Sequence, residues 1–447
     1  MASVGISSTP RFFVGKRRLV FSAIILTNFV VWLDTAKFGV LNPFWSKDLN
    51  LEPSQISSVA ASYLLGYFPM LFLAGILADR FGARRMLLTC VSGVTVLSAS
   101  MAAVHTYGEM WWRNFVFGLF FGLLWAPCTR LLANWFPGQD NAKATSMWMS
   151  STLLAGVVAP AIALPLANHL SWQAAFLVVA ALGIPAFVML WMFAFDDHEK
   201  VRGISADEVN SIRTALAIQD ENSKLSFGEI LRLLRRPSII TMALATALAT
   251  TPTWLTGPWM PYGLITLDKV NPDVVAWVTP LIALIPVLFG LVNGTLVARL
   301  FGGRTRPWLA FGPLLGAVGF AMAIVMHDTS WVLWAIMLGG VAFLCDPMFW
   351  GTVNSYWVGI AGPKATGTLN GVSAALQVGV GWYITNQSGQ WLNLEAVGRA
   401  QLDRVWLIGA IIFAVAIIPV LISREIRVRA AGGSDTPSGA VPVERPA

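Results

Sequence analysis

The sequence predicts an all-α membrane protein with twelve transmembrane helices in two pseudo-symmetric six-helix bundles. Three observations carry that prediction. Of 447 residues, 56% are hydrophobic and only 12% are charged, against about 25% charged in a soluble domain. Apolar windows near the ~20 residues that cross a bilayer recur along almost the whole chain. Short motifs also recur in two halves, separated by one long polar segment. A soluble globule and a disordered chain are both excluded, since each needs far more charge.

Windows bounded by charges and by Gly and Pro clusters place the spans near 18–43, 56–78, 85–105, 110–134, 144–168 and 172–195. After the polar segment they continue near 238–263, 273–298, 307–327, 330–356, 365–389 and 403–423. The predicted units are 1–195, a linker over 196–237, 238–424, and a disordered cytoplasmic tail over 425–447 rich in Gly, Pro and Ser. Val209, Ile212, Leu216, Ile230, Leu231 and Leu234 space the linker's apolar residues as an amphipathic helix on the membrane surface. Met1 to Arg18 has no apolar stretch ending in a small-residue cleavage site, so no removable signal peptide is expected.

With an even number of spans, 23 of the 30 Lys and Arg fall on the side of the termini. That side is therefore expected to be cytoplasmic, in an inner or plasma membrane. The same placement accounts for the net charge of +7 without a nucleic-acid partner: the basic residues face anionic lipid. Cys90, Cys128 and Cys345 are odd in number and have no metal-ligand spacing, so neither a disulfide nor a metal site is expected. GxSxG, HExxH and GxxxxGK[ST] are absent, and the four His stand apart in sequence, so no enzyme is expected.

Gly75-Ile76-Leu77-Ala78-Asp79-Arg80-Phe81-Gly82-Ala83-Arg84-Arg85, after span 2, has a counterpart in Gly294-Thr295-Leu296-Val297-Ala298-Arg299-Leu300-Phe301-Gly302-Gly303-Arg304, after span 8. Lys143-Ala144-Thr145 recurs as Lys364-Ala365-Thr366 at nearly the same offset. Six plus six spans with parallel repeats describe an alternating-access transporter with a mid-membrane cavity between the halves. The first of these motifs resembles the loop 2–3 signature of the major facilitator superfamily. The resemblance implies that Gly75, Asp79, Arg80, Gly82, Arg84 and Arg85 form a cytoplasmic latch of the outward-open state. In the second copy Ala298 stands where the Asp would be.

Charges inside spans are costly and usually functional. Asp34 and Lys37 share one face of span 1, Arg113 and Arg130 lie in span 4, and Asp346 lies midway along span 10. Arg113 keeps its charge and its planar fork suits a carboxylate, which makes it a candidate anchor for an anionic substrate. Asp34 is a candidate proton acceptor, with Lys37 as its tuning partner or as a second anchor. The plainer alternatives are a neutralising Asp34–Lys37 pair, an Arg113 reaching the outer headgroups, and an Arg130 anchoring a helix end. Asp346 either lines the cavity as a second proton site or caps the break at Pro347.

Leu33-Asp34-Thr35-Ala36-Lys37, the stretch from Arg113 to Trp135-Phe136-Pro137, and Ser171-Trp172-Gln173-Ala174-Ala175-Phe176 resemble the anion:cation symporter branch of that superfamily. The resemblance implies proton-coupled symport of a small organic anion such as a sugar acid, with no cofactor beyond the proton. Thr35 replaces an Arg common in the branch, and Phe121 beside Gly122 replaces a common Glu. Coupling would then rest on Asp34 or Asp346. Asn370, Gln377 and Trp254 are candidate substrate contacts, Trp254 because Pro252, Pro258 and Pro261 break span 7 around it. The expected partners are the substrate and the lipid bilayer, with the protein a monomer. Asp34-Thr35-Ala36 also resembles the aromatic acid:proton symporter branch, and two further alternatives stay open: a zwitterionic or cationic solute held by Asp34 and Asp346, and export.

Overall fold

A computed structural model describes residues 15–137, 139–197, 209, 212, 232–361, 363–392 and 398–426. Most of the linker's amphipathic segment, Leu216, Ile230 and Leu231 included, and nearly all of the expected tail lie outside these residues. Among the described residues ten helices are long and apolar enough to cross a membrane: Lys16–Val40, Pro53–Phe81, Tyr107–Trp135, Lys143–His169, Trp172–Phe193, Pro237–Leu267, Pro272–Phe301, Thr305–Met326, Trp331–Ala361 and Arg399–Ile422. Ala83–Met101 and Pro363–Ser388 fill the places of spans 3 and 11 with more polar sequences. Several of their hydroxyls bond within the helix, Thr89 Oγ1 to the Arg85 carbonyl and Ser373 Oγ to the Leu369 carbonyl, both at 2.9 Å, which lowers the cost of placing them in the membrane. The chain is an all-α membrane protein of twelve spans.

Several spans are interrupted. Span 7 passes through a 3₁₀ turn at Thr251–Leu255 and a π turn at Gly263–Leu267, and Pro252, Pro258 and Pro261 each lack the N–H that a regular helix needs. Span 10 runs through Ile336–Val341 as π-helix and Ala342–Leu344 as 3₁₀ before the α-helix resumes at Cys345. Breaks of this kind favour functional positions. A short helix absent from the sequence reading, Asn42–Asp48, follows span 1, and its Trp45 Nε1 donates to the Phe38 carbonyl at 3.1 Å.

Spans 1–5, 1–6, 2–4, 3–4 and 3–6 pack together, and so do 7–11, 7–12, 8–10, 9–10 and 9–12. The same neighbours recur six spans later, as a duplicated bundle requires. Between the halves, span 2 meets span 11, span 5 meets span 8, and span 1 meets span 7.

The cross-half contacts cluster away from the face that carries Lys16 and Ile422. On that distal face Asn42 Nδ2 donates to the Pro258 carbonyl at 2.7 Å, and Ser57 Oγ to the Asn386 carbonyl at 2.9 Å. His169 Nε2 and Asn168 Nδ2 reach Asp273 Oδ2 at 3.0 and 2.9 Å. Spans 2 and 11 run side by side, Pro53 beside Gly389 and Phe68 beside Gly379. The next partners toward the terminal face are Gly75 and Gly371, and a Cβ on either would meet nothing within 4 Å. The halves are shut at the distal face and parted at the terminal face.

Gly39 of span 1 forms part of that closure. A Cβ there would stand 3.0 Å from the Gly257 carbonyl oxygen of span 7, so only hydrogen lets the two backbones approach. Gly39→Val should therefore disfavour the distal-closed state. An Ala36→Cys probe one turn deeper should react severalfold faster with an impermeant thiol reagent applied to the distal face. The native cysteines are buried and do not obscure the reading.

Candidate functional site

Helix phase decides which side chains face the other half. At about 100° per residue, positions seven apart share a face and positions nine apart are opposed. Trp32 lies seven residues before Gly39 and so points with it toward span 7. Tyr63 and Tyr67 each lie nine residues before Phe72 and Ile76, which are 55% and 64% exposed on the lipid side. The two tyrosines thus face inward. Their rings and that of Trp32 gather around buried Phe121 of span 4, with centroids 6.2, 5.1 and 5.1 Å from it.

The facing wall belongs to spans 7, 10 and 11. Cys345 Sγ donates to the Ala249 carbonyl of span 7 at 3.1 Å, while Pro347 Cβ touches the Gly290 position of span 8 at 3.4 Å. These contacts leave Asp346, Trp350 and Asn354, one turn apart from each other, on the face between. Asp346 is half-buried and has no hydrogen bond or ion pair among the described residues. It sits in the first turn of the resumed helix, where the helix dipole favours a negative charge, without bonding a backbone N–H as a cap would. Asn370 Nδ2 donates to Asn354 Oδ1, and Gln377 Nε2 to Thr250 Oγ1 at 2.8 Å. Trp254 lies on span 11, its ring within 2.3 Å of where a Gly381 Cβ would be.

Asp34 and Lys37 are not on this cavity. They point to the far side of span 1 from Gly39, into the N-terminal bundle, where both are buried. Lys37 Nζ pairs with Asp34 Oδ1 and donates to Ser98 Oγ of span 3. The Ser98 hydroxyl in turn donates to Asp34 Oδ1 at 2.7 Å, and the ammonium lies 4.7 Å from the centre of the Phe176 ring of span 6.

Arg113 is also elsewhere. It donates to the Ser100 carbonyl in the last turn of span 3, which also accepts the Ala103 backbone N–H at 3.0 Å, and lies 4.0 Å from Glu109. The expected grouping of Asp34, Lys37 and Arg113 around one cavity does not occur, because phase turns the first two away and Arg113 is held at the distal rim. Arg113→Lys should accordingly leave substrate affinity within about twofold in a binding titration.

The loop signature is built on Gly82, whose φ of +90° disfavours other residues. A Cβ there would also stand 2.5 Å from Asp196 Oδ2. Asp196, beyond span 6, accepts the Arg84 backbone N–H at 2.9 Å. The Arg84 guanidinium donates to the Trp191 carbonyl and lies 4.7 Å from the Phe195 ring centre. Asp79 pairs with Arg130 of span 4, and Arg80 lies over Phe81 at 5.5 Å. Arg85 accepts the Thr89 hydroxyl at its carbonyl. These bonds tie spans 2, 3, 4 and 6 of one half together. Gly75 stands free of the other half, as a terminal face that is open requires.

Residues 24–386 match the family model described as Major Facilitator Superfamily. The chain belongs to that superfamily. It is 26% identical over 200 residues to the "Hexuronate transporter" of Bacillus subtilis, spanning 45% of each chain. It is 24% identical over 368 residues to the "Probable sulfoacetate transporter SauU" of Cupriavidus necator, spanning 80% of this chain and 83% of that one. In fold it matches the crystal structure of a bacterial homologue of the human lysosomal transporter Spinster, with a TM-score of 0.71 at 13% identity over 93% of this chain and 97% of that one. A transporter of this superfamily is not an enzyme, and the sequence reading of the family stands.

Within the superfamily frame, sequence reasoning missed Ser98, Phe176, Tyr63, Tyr67 and Asp196. Ser98 had no signal of its own among the hydroxyls of span 3. Tyr63 and Tyr67 had one: their phase opposite Phe72 and Ile76 was readable once the lipid side was known.

Proposed function

We propose that this superfamily member is a proton-coupled symporter of a small organic anion, with Asp346 as the group that carries the proton. The observation that supports this most is the half-buried, unpartnered Asp346 carboxylate on the face of span 10 between its contacts to spans 7 and 8. The names of the relatives, a hexuronate and a sulfoacetate transporter, support the anion. In this reading the terminal face is cytoplasmic, as the basic residues favour. The protein acts as a monomer in the cytoplasmic membrane with the proton as sole cofactor, and nucleic acid plays no part.

Coupling follows from charge alone. An ionised Asp346 repels an incoming carboxylate, whereas a protonated one donates a hydrogen bond to it. Anion and proton therefore enter together: the pair adds no net charge, so the loaded cavity carries the same single negative charge as the empty one, now held in a hydrogen bond between the Asp346 carboxyl and the substrate carboxylate. Asn370 and Gln377 then serve the polar part of the substrate, and the loop signature latches the terminal face once Gly75 meets span 11.

Proteoliposomes with an entrapped pH dye test this. Hexuronates and sulfoacetate added outside should be taken up with acidification of the lumen. Uptake without proton movement would sink the coupling. A second reading is favoured by the absence of a free cation on the described cavity wall: a zwitterion or cation held by Asp346 against Trp350. Selective uptake of amines in the same assay would establish it.

A further inference from the structure

We propose that the distal closure is a proton-sensitive lock, in which protonated His169 of span 5 grips Asp273 of span 8 and biases the two halves toward the distal-closed state. The lock concerns the closure alone and depends neither on the solute carried nor on Asp346.

The pair joins the halves at two helix ends. His169 is the last residue of Gln139–His169, and Asp273 lies in the first turn of Pro272–Phe301. A positive charge suits the C-terminal end of a helix and a negative charge the N-terminal end, so an imidazolium facing a carboxylate here satisfies both dipoles at once. Asp273 Oδ2 takes His169 Nε2 at 3.0 Å and Asn168 Nδ2 at 2.9 Å, two donors of one half on one oxygen of the other. Asp273 Oδ1 is buried with no hydrogen bond among the described residues. A neutral imidazole still donates, but a charge-assisted bond is about twice as strong. Parting the halves breaks the pair whatever its charge, so the extra strength of the charged form counts only in the closed state. Protonation thus shifts the population toward closure.

The duplicated bundle gives the closure two equivalent seams, spans 5 and 8 on one side and spans 11 and 2 on the other. The second seam is shut by Ser57 Oγ on the Asn386 carbonyl and by Pro53 beside Gly389, and no ion pair crosses it among the described residues. The first seam carries a histidine, the side chain whose charge changes between about pH 5 and 8.

The charges on the elements around His169 leave the pair to itself. Asp34 and Lys37 of span 1 pair inside the N-terminal bundle. Asp48, on the helix after span 1, accepts from Trp172 Nε1 at 2.9 Å and Gln173 Nε2 at 3.3 Å, and Asp268 lies 2.7 Å from Arg399. Lys47 and Lys269 are exposed, and neither pairs with Asp273 among the described residues.

The full chain in lipid nanodiscs, spin-labelled at Ala103→Cys and Thr329→Cys, reads the lock as a distance between the distal ends of the halves. Both positions are exposed and follow spans 3 and 9, outside the seam, and the native cysteines are buried. An Asp346→Asn background without substrate removes the coupling site from the reading. The ratio of distal-closed to distal-open distances should be about twofold to fivefold higher at about pH 5.5 than at about pH 8, the range of a partly exposed ion pair. His169→Gln keeps a donor without a titrating charge, so its ratio should not change with pH and should lie near the parent's alkaline value. His169→Arg should hold the acid ratio at both. No response in the parent, a response that survives His169→Gln, or one that vanishes instead in His327→Gln would overturn the lock and leave the symport reading standing.

Discussion

Asp346→Asn should abolish accumulation driven by a pH gradient while sparing counterflow exchange of labelled for unlabelled substrate. The amide keeps the shape of the side chain and a donor for the substrate carboxylate, but it has no proton to give up. Two unit charges about 4 Å apart at an effective dielectric near 20 repel by about 4 kcal/mol. A carboxylate substrate facing ionised Asp346 would thus lose affinity by up to about a thousandfold. In the wild-type chain, affinity measured by titration should therefore fall steeply as pH rises. In the Asn variant the curve should be flat and lie near the acid limit of the wild type. Loss of exchange together with accumulation would mean that Asp346 holds the substrate itself, as the zwitterion reading has it.

The fold was legible because its cause is coarse. Span length, the side taken by Lys and Arg, and the recurrence of the Gly75–Arg85 motif at Gly294–Arg304 each follow from physics that needs no contact map. Spans 3 and 11, although more polar, were placed by the same windows bounded by charges and by Gly and Pro. The site was legible only in part, because a charge inside a span marks cost and not direction. Asp34 and Asp346 carry the same signal in sequence. Only the close approach of Gly39 to Gly257 shows that span 1 turns Asp34 away from the other half. The contacts of Cys345 and Pro347 likewise show that span 10 leaves Asp346 on an open face. For Arg113 the limit is related: its distance from the helix end was known, but the span 3 carbonyl to which it donates was not. The cavity rings were hidden by abundance, since 20 Trp and 26 Phe give no contrast along the chain.

Lys37→Ala should destabilise the protein by about 3–5 kcal/mol, and Asp34→Leu combined with Lys37→Met should recover most of the loss. Removing the ammonium leaves Asp34 as an uncompensated charge inside a helix bundle, which is the costly case; replacing both partners with apolar groups of similar volume is often neutral. The bundle supplies what such a pair needs, a bridging hydroxyl from Ser98 and an aromatic face from Phe176. Lys37 also lies in the last turn of span 1, where a positive charge suits the helix dipole. Thermal unfolding in detergent should show a large drop for the single variant and a near-native transition for the double. The decisive reading is transport by the double variant. If it still accumulates substrate against a pH gradient, the pair is a structural clamp joining spans 1, 3 and 6. If it folds but no longer couples, the proton passes through Asp34 after all, and the assignment of Asp346 fails.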